Sequence, residues 1–257
     1  KPTAVGVRII EQARRVLAEA KRVEDIAREG KDELVGSLRL GAIYTVGPYV
    51  LPSLVPLMRE TAPMMPLMIE ENFTAVLLEQ LRDNELDVAL LALPIDLQGL
   101  SAWPLYDEDF VVMLSPNHRW AELPSIPAKK LAEEHLLLLG PGHCFREQVI
   151  AACPKCLDAE GDGPRPVTGS SIETIRYMVG SGLGITVMPN SSIANRPPEP
   201  NPPPVVPFAA PAPSRRIGMV WRRSFPRLTA IRALHAAILA SGVRGVRLLP
   251  DAEPQHP

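Results

Sequence analysis

From Gly36 to about Ser241, short apolar runs of strand length alternate with stretches whose apolar residues recur at helical spacing. The run that follows Asp87, from Val88 to Leu93, contains no polar residue. A strand without a polar face is typical of a parallel sheet that helices cover on both sides. The alternation therefore restricts the chain to an α/β fold with a doubly wound sheet. We predict strands at 37–44, 65–70, 87–93, 110–114, 136–139, 184–188 and 217–221, and helices at 48–61, 74–82, 128–133, 172–181 and 228–241.

The alternating pattern occurs twice, and the chain returns to the first unit after Arg216. We therefore predict two Rossmann-like subdomains in a periplasmic-binding-protein-like, bilobed arrangement with a cleft between the lobes. Residues 36–106 and 216–250 would form subdomain I, and residues 107–215 subdomain II. The last residues, 251–257, are predicted to be a disordered tail.

Residues 1–35 contain a predicted long helix that precedes the two subdomains. Small or apolar side chains recur there in alternating steps of four and three residues, at Ile9, Ala13, Val16, Ala20, Val23 and Ala27. This spacing is a heptad pattern, and its charged flanks favour a helix that pairs with a copy of itself. The alternative is an amphipathic helix that lies on its own domain. In either case the helix should end near Gly30.

Charge and cysteine content exclude several classes of protein. Lys and Arg number 27 against 29 Asp and Glu, so the net charge of −2 provides no general attraction to nucleic acid or to an anionic membrane. No apolar run approaches the ~20 residues that span a bilayer. Three cysteines in 257 residues do not make a disulfide framework, and a reducing cytoplasm is the expected location.

The three cysteines, Cys144, Cys153 and Cys156, all lie within thirteen residues. Cys144 stands between His143 and Arg146 at a predicted helix start. Cationic neighbours and the positive end of a helix dipole both favour the thiolate, which is the form that attacks peroxides. The segment therefore predicts a redox switch.

Other interpretations of these thiols remain open. Cys144 could be a buried structural thiol. Cys153-Pro154-Lys155-Cys156 is a C-x-x-C motif, which occurs in thioredoxin-like redox sites and as half of a zinc site. The chain lacks a second pair of ligands at suitable spacing, so we predict no metal and no organic cofactor.

Several segments resemble the regulatory domain of LysR-type transcriptional regulators. They are Gly36–Gly41, Tyr106–Asp109 and Gly180–Pro189, while Lys1–Gly6 resembles the end of that family's winged helix-turn-helix domain. Thr45–Tyr49, Gly142–Gln148 and Cys153 are similar to the hydrogen-peroxide-sensing members of the family. The resemblance covers nearly the whole chain.

The resemblance implies a role for each matching residue. Cys144 would be the peroxidatic cysteine, which is oxidised to a sulfenic acid, and Cys153 the resolving cysteine that forms a disulfide with it. The residues implied to bind peroxide or relay protons are Thr45, Thr74, His143, Arg146, Glu147 and Arg215. Cys156 has no counterpart in the family pattern, and Glu147 stands where Asp is frequent.

The resemblance also implies partners and a location. These are hydrogen peroxide, promoter DNA bound through a winged helix-turn-helix domain outside this sequence, further copies of the chain in a dimer of dimers, and RNA polymerase, in the cytoplasm of a bacterium and away from membranes. The chain would be an activator and not an enzyme. Two alternatives are a LysR-type domain that binds a small organic effector between the lobes, and an enzyme of the thiol peroxidase type.

Helix geometry indicates what such a disulfide would require. If residues 143–152 form a helix that continues to Cys153, a separation of nine residues at ~1.5 Å each holds the two cysteine Cα atoms ~13 Å apart. A disulfide tolerates at most ~7 Å. Joining Cys144 to Cys153 would therefore require that segment to unwind or fold back. Oxidation would rearrange about ten residues and change the shape of the domain.

Overall fold

The structure, a computed structural model, describes residues 3–28, 32–157 and 167–256. Its helices are α1 (Ala4–Arg28), α2 (Gly47–Thr61), α3 (Thr74–Arg82), α4 (Cys144–Ala152), α5 (Ile172–Gly180), α6 (Asn190–Ala194) and α7 (Leu228–Ala240), with 3₁₀ helices at Ala128–Glu133 and Pro154–Leu157. Its strands are β1 (Leu38–Ile43), β2 (Leu67–Asn72), β3 (Val88–Leu93), β4 (Leu100–Met113), β5 (Leu136–Leu139), β6 (Val167–Gly169), β7 (Ile185–Pro189), β8 (Val205–Pro207), β9 (Ser214–Arg222) and β10 (Arg247–Leu248).

The strands form a mixed sheet in the order β2-β1-β3-β9-β4-β7-β5-β6, with β8 and β10 paired to β4. β1 runs parallel to β2 and β3, and β5 runs parallel to β6 and β7. The α/β prediction is confirmed. Both faces of β3 are buried, and Val88 to Leu91 are fully inaccessible to solvent. This agrees with the apolar run from which a strand covered on both sides was predicted.

Two long strands connect the lobes. β4 pairs with β9 from Leu100 and Arg222 to Asp109 and Ser214, and its last four residues pair with β7. The predicted subdomain boundaries, at 106/107 and 215/216, fall inside these two strands. The predicted strand at 110–114 covers only the end of β4. The earlier part was missed because Pro104 and the polar residues 107–109 interrupt the apolar pattern.

The buried apolar side chains form two separate hydrophobic cores. The first contains β1, β3 and the inner faces of α2, α3 and α7. The second contains β5, β7 and the inner faces of α4 and α5. Gly41 allows α3 to lie close to β1, because a Cβ at this position would stand 2.5 Å from Leu86 Cδ2 and 2.7 Å from Leu77 Cδ2.

The N-terminal helix α1 leaves its described heptad residues open to solvent. Ile9, Val16 and Val23 are 62%, 59% and 68% exposed, so their apolar side chains find no cover within the described part of the chain. The predicted helix end near Gly30 lies outside the described residues. None of the helices in the described ranges is both long enough and apolar enough to cross a membrane.

The prediction of a disordered tail is wrong for residues 251–256. Backbone groups of Gln255 and Ala102 exchange hydrogen bonds of 2.6 and 3.0 Å, and Trp103 Nε1 donates to Ala252 O at 2.7 Å. The bonds to Ala252 and Gln255 use backbone atoms of the tail, and such bonds leave no apolar pattern in the sequence from which this order could be predicted.

Removing residues 251–257 should destabilise the domain, because it leaves β4 backbone groups and the Trp103 indole without these partners. At about 1 kcal/mol for each net hydrogen bond, we expect a loss of about 3 kcal/mol and a fall in Tm of several degrees by differential scanning fluorimetry. Gln255→Ala is the control, because the bonds at this residue come from its backbone. An unchanged Tm after truncation would contradict the observed packing.

Candidate functional site

A small cavity opens where the carboxyl ends of β1 and β2 meet the start of α4. Its wall is formed by Ile43, Tyr44, Thr45, Asn72, Phe73, Thr74, Gly142, His143, Cys144 and Phe145. The centre of a water-sized molecule can move through about 10 Å³ of it. Space of this size holds about one water molecule and not an organic metabolite.

The fold places each group at the end of a regular element. Thr45 follows β1, Thr74 begins α3 after β2, and Cys144 is the first residue of α4 after β5. In α/β sheets, ligand sites form at the carboxyl ends of parallel strands, where helix N-termini also point. The cavity therefore lies between the two lobes at the expected edge of the sheet.

Cys144 connects the two lobes. Its half-buried side chain packs against the first core, although α4 belongs to the second through Phe145 and Val149. It carries a free thiol. The predicted helix start at Cys144 is present, so the thiol lies at the positive end of the α4 dipole.

Thr74 faces the cavity with an unused hydroxyl. Its Oγ1 is buried and has no hydrogen-bond partner among the described residues. A buried hydroxyl without a partner costs free energy, and a small polar ligand in the cavity would remove that cost.

Thr45 is held by a buried ion pair. Arg215 Nη1 donates to Thr45 Oγ1 at 2.7 Å, and Arg215 Nη2 donates to the Thr45 carbonyl at 2.9 Å. Arg215 Nε donates to Glu108 Oε1 at 2.7 Å, and both charged side chains are inaccessible to solvent. Because Oγ1 already accepts from Arg215, the Thr45 hydroxyl proton remains available to an acceptor in the cavity.

The same guanidinium packs beneath the α4 helix. Arg215 Cζ lies 5.1 Å from the centre of the Phe145 ring, and Phe145 follows Cys144 directly. Glu108 Oε2 also accepts from the backbone N–H of Ser191 at 3.1 Å. Glu108 is a site residue that the sequence did not predict, because its pairing with Arg215 depends on the β4–β9 register.

Aromatic rings close the outer wall of the cavity. The ring centres of Phe73 and His143 are 4.9 Å apart, and Tyr44 lies 5.4 Å from Phe73. Gly142, at φ 95°, permits this contact, since a Cβ there would stand 3.3 Å from the Phe73 ring. Tyr44 and Phe73 are not among the predicted site residues.

His143 does not supply the positive charge expected of it. Its side chain is buried, and desolvation lowers its pKa, an effect only partly opposed by a backbone hydrogen bond with Ser170. The imidazole is therefore neutral at pH 7, so His143 does not place the predicted positive charge beside Cys144. The positive end of the α4 dipole, which was also predicted to favour the thiolate, is present beside Cys144.

Two other predicted residues lie outside the cavity. Arg146 Nη1 donates to Leu139 O at 2.9 Å, and its side chain lines a separate space behind α4. Glu147 has a side chain 70% exposed, and its nearest charged partner, Arg146 Nε, is 3.8 Å away. Neither is brought to Cys144 by the structure, and their roles stay predictions.

Cys153 ends α4 and is joined by a disulfide to Cys156, with Cα atoms 5.7 Å apart. This pairing differs from the predicted Cys144–Cys153 bond. α4 is helical from Cys144 to Ala152, so the rise of ~1.5 Å per residue puts Cys144 and Cys153 ~13 Å apart along it. The described residues include no group of three or more His, Cys, Asp or Glu suited to a metal ion.

Comparisons with known proteins agree with this geometry. Residues 31–242 match the family described as the LysR substrate binding domain, and the chain belongs to that family. OxyR regulators are among the proteins that are similar to this chain. The Escherichia coli K12 protein described as DNA-binding transcriptional dual regulator OxyR is 36% identical over 240 residues, which are 93% of this chain and 77% of the relative.

Two solved structures extend the similarity to three dimensions. A full-length cysteine-to-aspartate variant of Pseudomonas aeruginosa OxyR has a TM-score of 0.80 and 42% identity, covering 97% of this chain and 80% of that one. A cysteine-to-serine variant of Corynebacterium glutamicum OxyR with bound H₂O₂ has a TM-score of 0.73 and 32% identity, covering 93% and 76%. These matches confirm the resemblance found in the sequence.

Arg215→Met should destabilise the domain strongly, because it leaves the Glu108 carboxylate buried and unpaired. We expect a loss of about 3–5 kcal/mol in the free energy of unfolding, measured by urea denaturation. Arg216→Met is the matched control. Its side chain is 47% exposed in an ion pair with Asp107, and exposed pairs contribute below about 1 kcal/mol. Equal losses in the two variants would contradict this assignment.

Proposed function

We propose that the chain is the regulatory domain of a transcriptional activator that senses hydrogen peroxide through Cys144. The observation that carries the proposal is a free thiol at the start of α4, beside a water-sized cavity in which the Thr74 hydroxyl has no partner. The relatives described as OxyR, one with H₂O₂ bound, support the same ligand. A larger organic effector has no room beside these residues.

The proposed reaction begins with the Cys144 thiolate. Its sulfur attacks one oxygen of hydrogen peroxide, the O–O bond breaks, and the products are a sulfenic acid and a hydroxide ion. The hydroxide must receive a proton, and the hydroxyls of Thr45 and Thr74 are placed on the cavity wall to relay one. Neutral His143 is a further cavity group with an exchangeable proton. This chemistry uses no metal and no organic cofactor.

Resolution would follow when Cys153 is a free thiol. Its sulfur attacks the Cys144 sulfur, a disulfide forms, and water leaves. Since the two residues lie ~13 Å apart along α4, the bond can form only if α4 unwinds. Unwinding removes Phe145 from its place against Arg215, so the oxidation reaches the strands that join the two lobes.

The conformational change would then affect DNA binding through the way in which copies of the chain assemble. The exposed heptad residues of α1 are suited to pairing with a second copy, and we propose a dimer of dimers whose packing depends on the state of α4. Promoter DNA would be bound by a winged helix-turn-helix segment outside these 257 residues. RNA polymerase is the proposed partner at the promoter, and the bacterial cytoplasm is the proposed location.

Cys144→Ser should abolish the response to peroxide. After one equivalent of hydrogen peroxide, the reduced wild-type protein should lose free thiols and gain a disulfide or sulfenic acid involving Cys144, seen by peptide mass mapping. The variant should keep Cys153 and Cys156 reduced over the same time. Wild-type protein whose Cys144 remains a thiol would contradict the proposal. Sustained peroxide consumption with a thiol reductant would instead identify a peroxidase.

Thr74→Val should slow the oxidation of Cys144, because the nearly isosteric side chain removes the free hydroxyl. We expect a rate constant about 10²-fold lower, measured by stopped-flow with excess peroxide, since positioned proton transfer contributes at least this much. Thr168→Val, on the exposed strand β6, is the control. If both variants react at the wild-type rate, the hydroxyl has no role in the reaction.

A further inference from the structure

Cys156 completes a redox pair that fits the folded domain. Its backbone N–H donates to the Cys153 carbonyl at 3.0 Å within a single turn, and the two Cα atoms are 5.7 Å apart. Disulfides require a Cα separation of about 4.4–6.8 Å. The bond lies just beyond α4, so it leaves that helix intact from Cys144 to Ala152.

The alternative pair, Cys144 and Cys153, competes with the fold. Forming it unwinds α4, which withdraws Phe145 and Val149 from the second core, where they are 2% exposed. Cys153 therefore has two possible partners, and only Cys156 can be joined to it while α4 remains helical. Exchange of the Cys153 disulfide partner from Cys144 to Cys156 is therefore favoured, because it allows α4 to refold.

Burial favours an internal route. In the disulfide-bonded domain Cys153 is 3% exposed and Cys156 is 8% exposed, so both sulfur atoms lie within the second core. An external reductant must reach them through the protein, whereas each is held within one turn of the other. A neighbour fixed in this way acts at a high effective concentration.

We propose that Cys156 is a third redox-active residue. By thiol–disulfide exchange it displaces Cys144 from the disulfide with Cys153 and so restores the Cys144 thiol. The inference rests on the proposed peroxide reaction. The Cys156 thiolate attacks the Cys153 sulfur, the Cys144–Cys153 bond breaks, and Cys144 leaves as a thiolate that takes up the proton Cys156 released. In sum, one hydrogen peroxide and the thiols of Cys153 and Cys156 give one disulfide and two water molecules.

The exchange gives the domain two oxidised states with different shapes. The Cys144–Cys153 state has an unwound α4, and the Cys153–Cys156 state has the helix seen in this structure. The response therefore ends without an external reductant, although the oxidising equivalents stay in the protein. While Cys153 is held by Cys156, a second peroxide oxidises Cys144 only to the sulfenic acid.

The sequence permits a direct test, because Arg146 and Lys155 separate the three cysteines. Trypsin cleaves after both residues, so each cysteine lies on its own peptide and each disulfide gives a distinct cross-linked mass. The fully reduced protein is mixed with one equivalent of hydrogen peroxide, quenched with acid at successive times, alkylated and mapped without reduction.

In the wild-type protein, the Cys144–Cys153 product should rise first and then decline as the Cys153–Cys156 product replaces it. We expect a final ratio of at least about tenfold in favour of the second, which corresponds to ~30 mV for a two-electron couple. In Cys156→Ser the first product should persist. Cys156→Ala repeats this test with an apolar side chain at the buried position.

Two results would overturn the inference and leave the oxidation of Cys144 in the wild-type protein intact. One is wild-type protein in which the Cys144–Cys153 bond persists and Cys156 is alkylated. The other is Cys144→Ser in which Cys153 and Cys156 join as fast as in the wild type, because their oxidation would then not pass through Cys144. Wild-type protein whose Cys144 is never oxidised would remove the peroxide reaction and this inference together.

Discussion

The buried ion pair of Arg215 and Glu108 is the interaction on which the site depends. Burying two charges away from water costs free energy, which further hydrogen bonds help to offset. Arg215 donates to the Thr45 hydroxyl and carbonyl, and Glu108 accepts from the Ser191 amide. One guanidinium thus fixes the end of β1, the strands β4 and β9, and the Phe145 ring beneath α4. The same guanidinium therefore helps to position both the helix that begins at Cys144 and the junction of the lobes.

The lobes also interlock through side chains that leave their own core. Tyr49, on α2, is buried in the second core, and its hydroxyl donates to Glu173 on α5 at 2.8 Å. Burial beside this carboxylate raises the pKa of Tyr49, which keeps the hydroxyl a donor. Conversely, the side chain of Cys144, on α4 of the second lobe, packs against the first core. A change in α4 therefore disturbs packing on both sides of the cleft.

The fold and the centre of the site could be predicted because their signals are local. The apolar run at 88–93 specifies a doubly covered strand, and the segment at 142–148 specifies a cysteine at a helix start. Other features depend on contacts distant in sequence. Glu108 acquires its partner only through the β4–β9 register, the pKa of His143 is lowered because the fold buries its side chain, and the tail is ordered by backbone bonds to Ala102.

The aromatic wall of the cavity has a consequence for chemical selectivity. Phe73 makes edge-on contacts with Tyr44 and His143, and the Tyr44 and His143 rings pack at a tilt, so the opening beside Cys144 is bounded by rings that support each other. An alkyl hydroperoxide carries the same O–O bond as hydrogen peroxide, but its carbon chain would have to displace these rings. Under the proposed function, discrimination between oxidants would then depend on the stiffness of this aromatic wall.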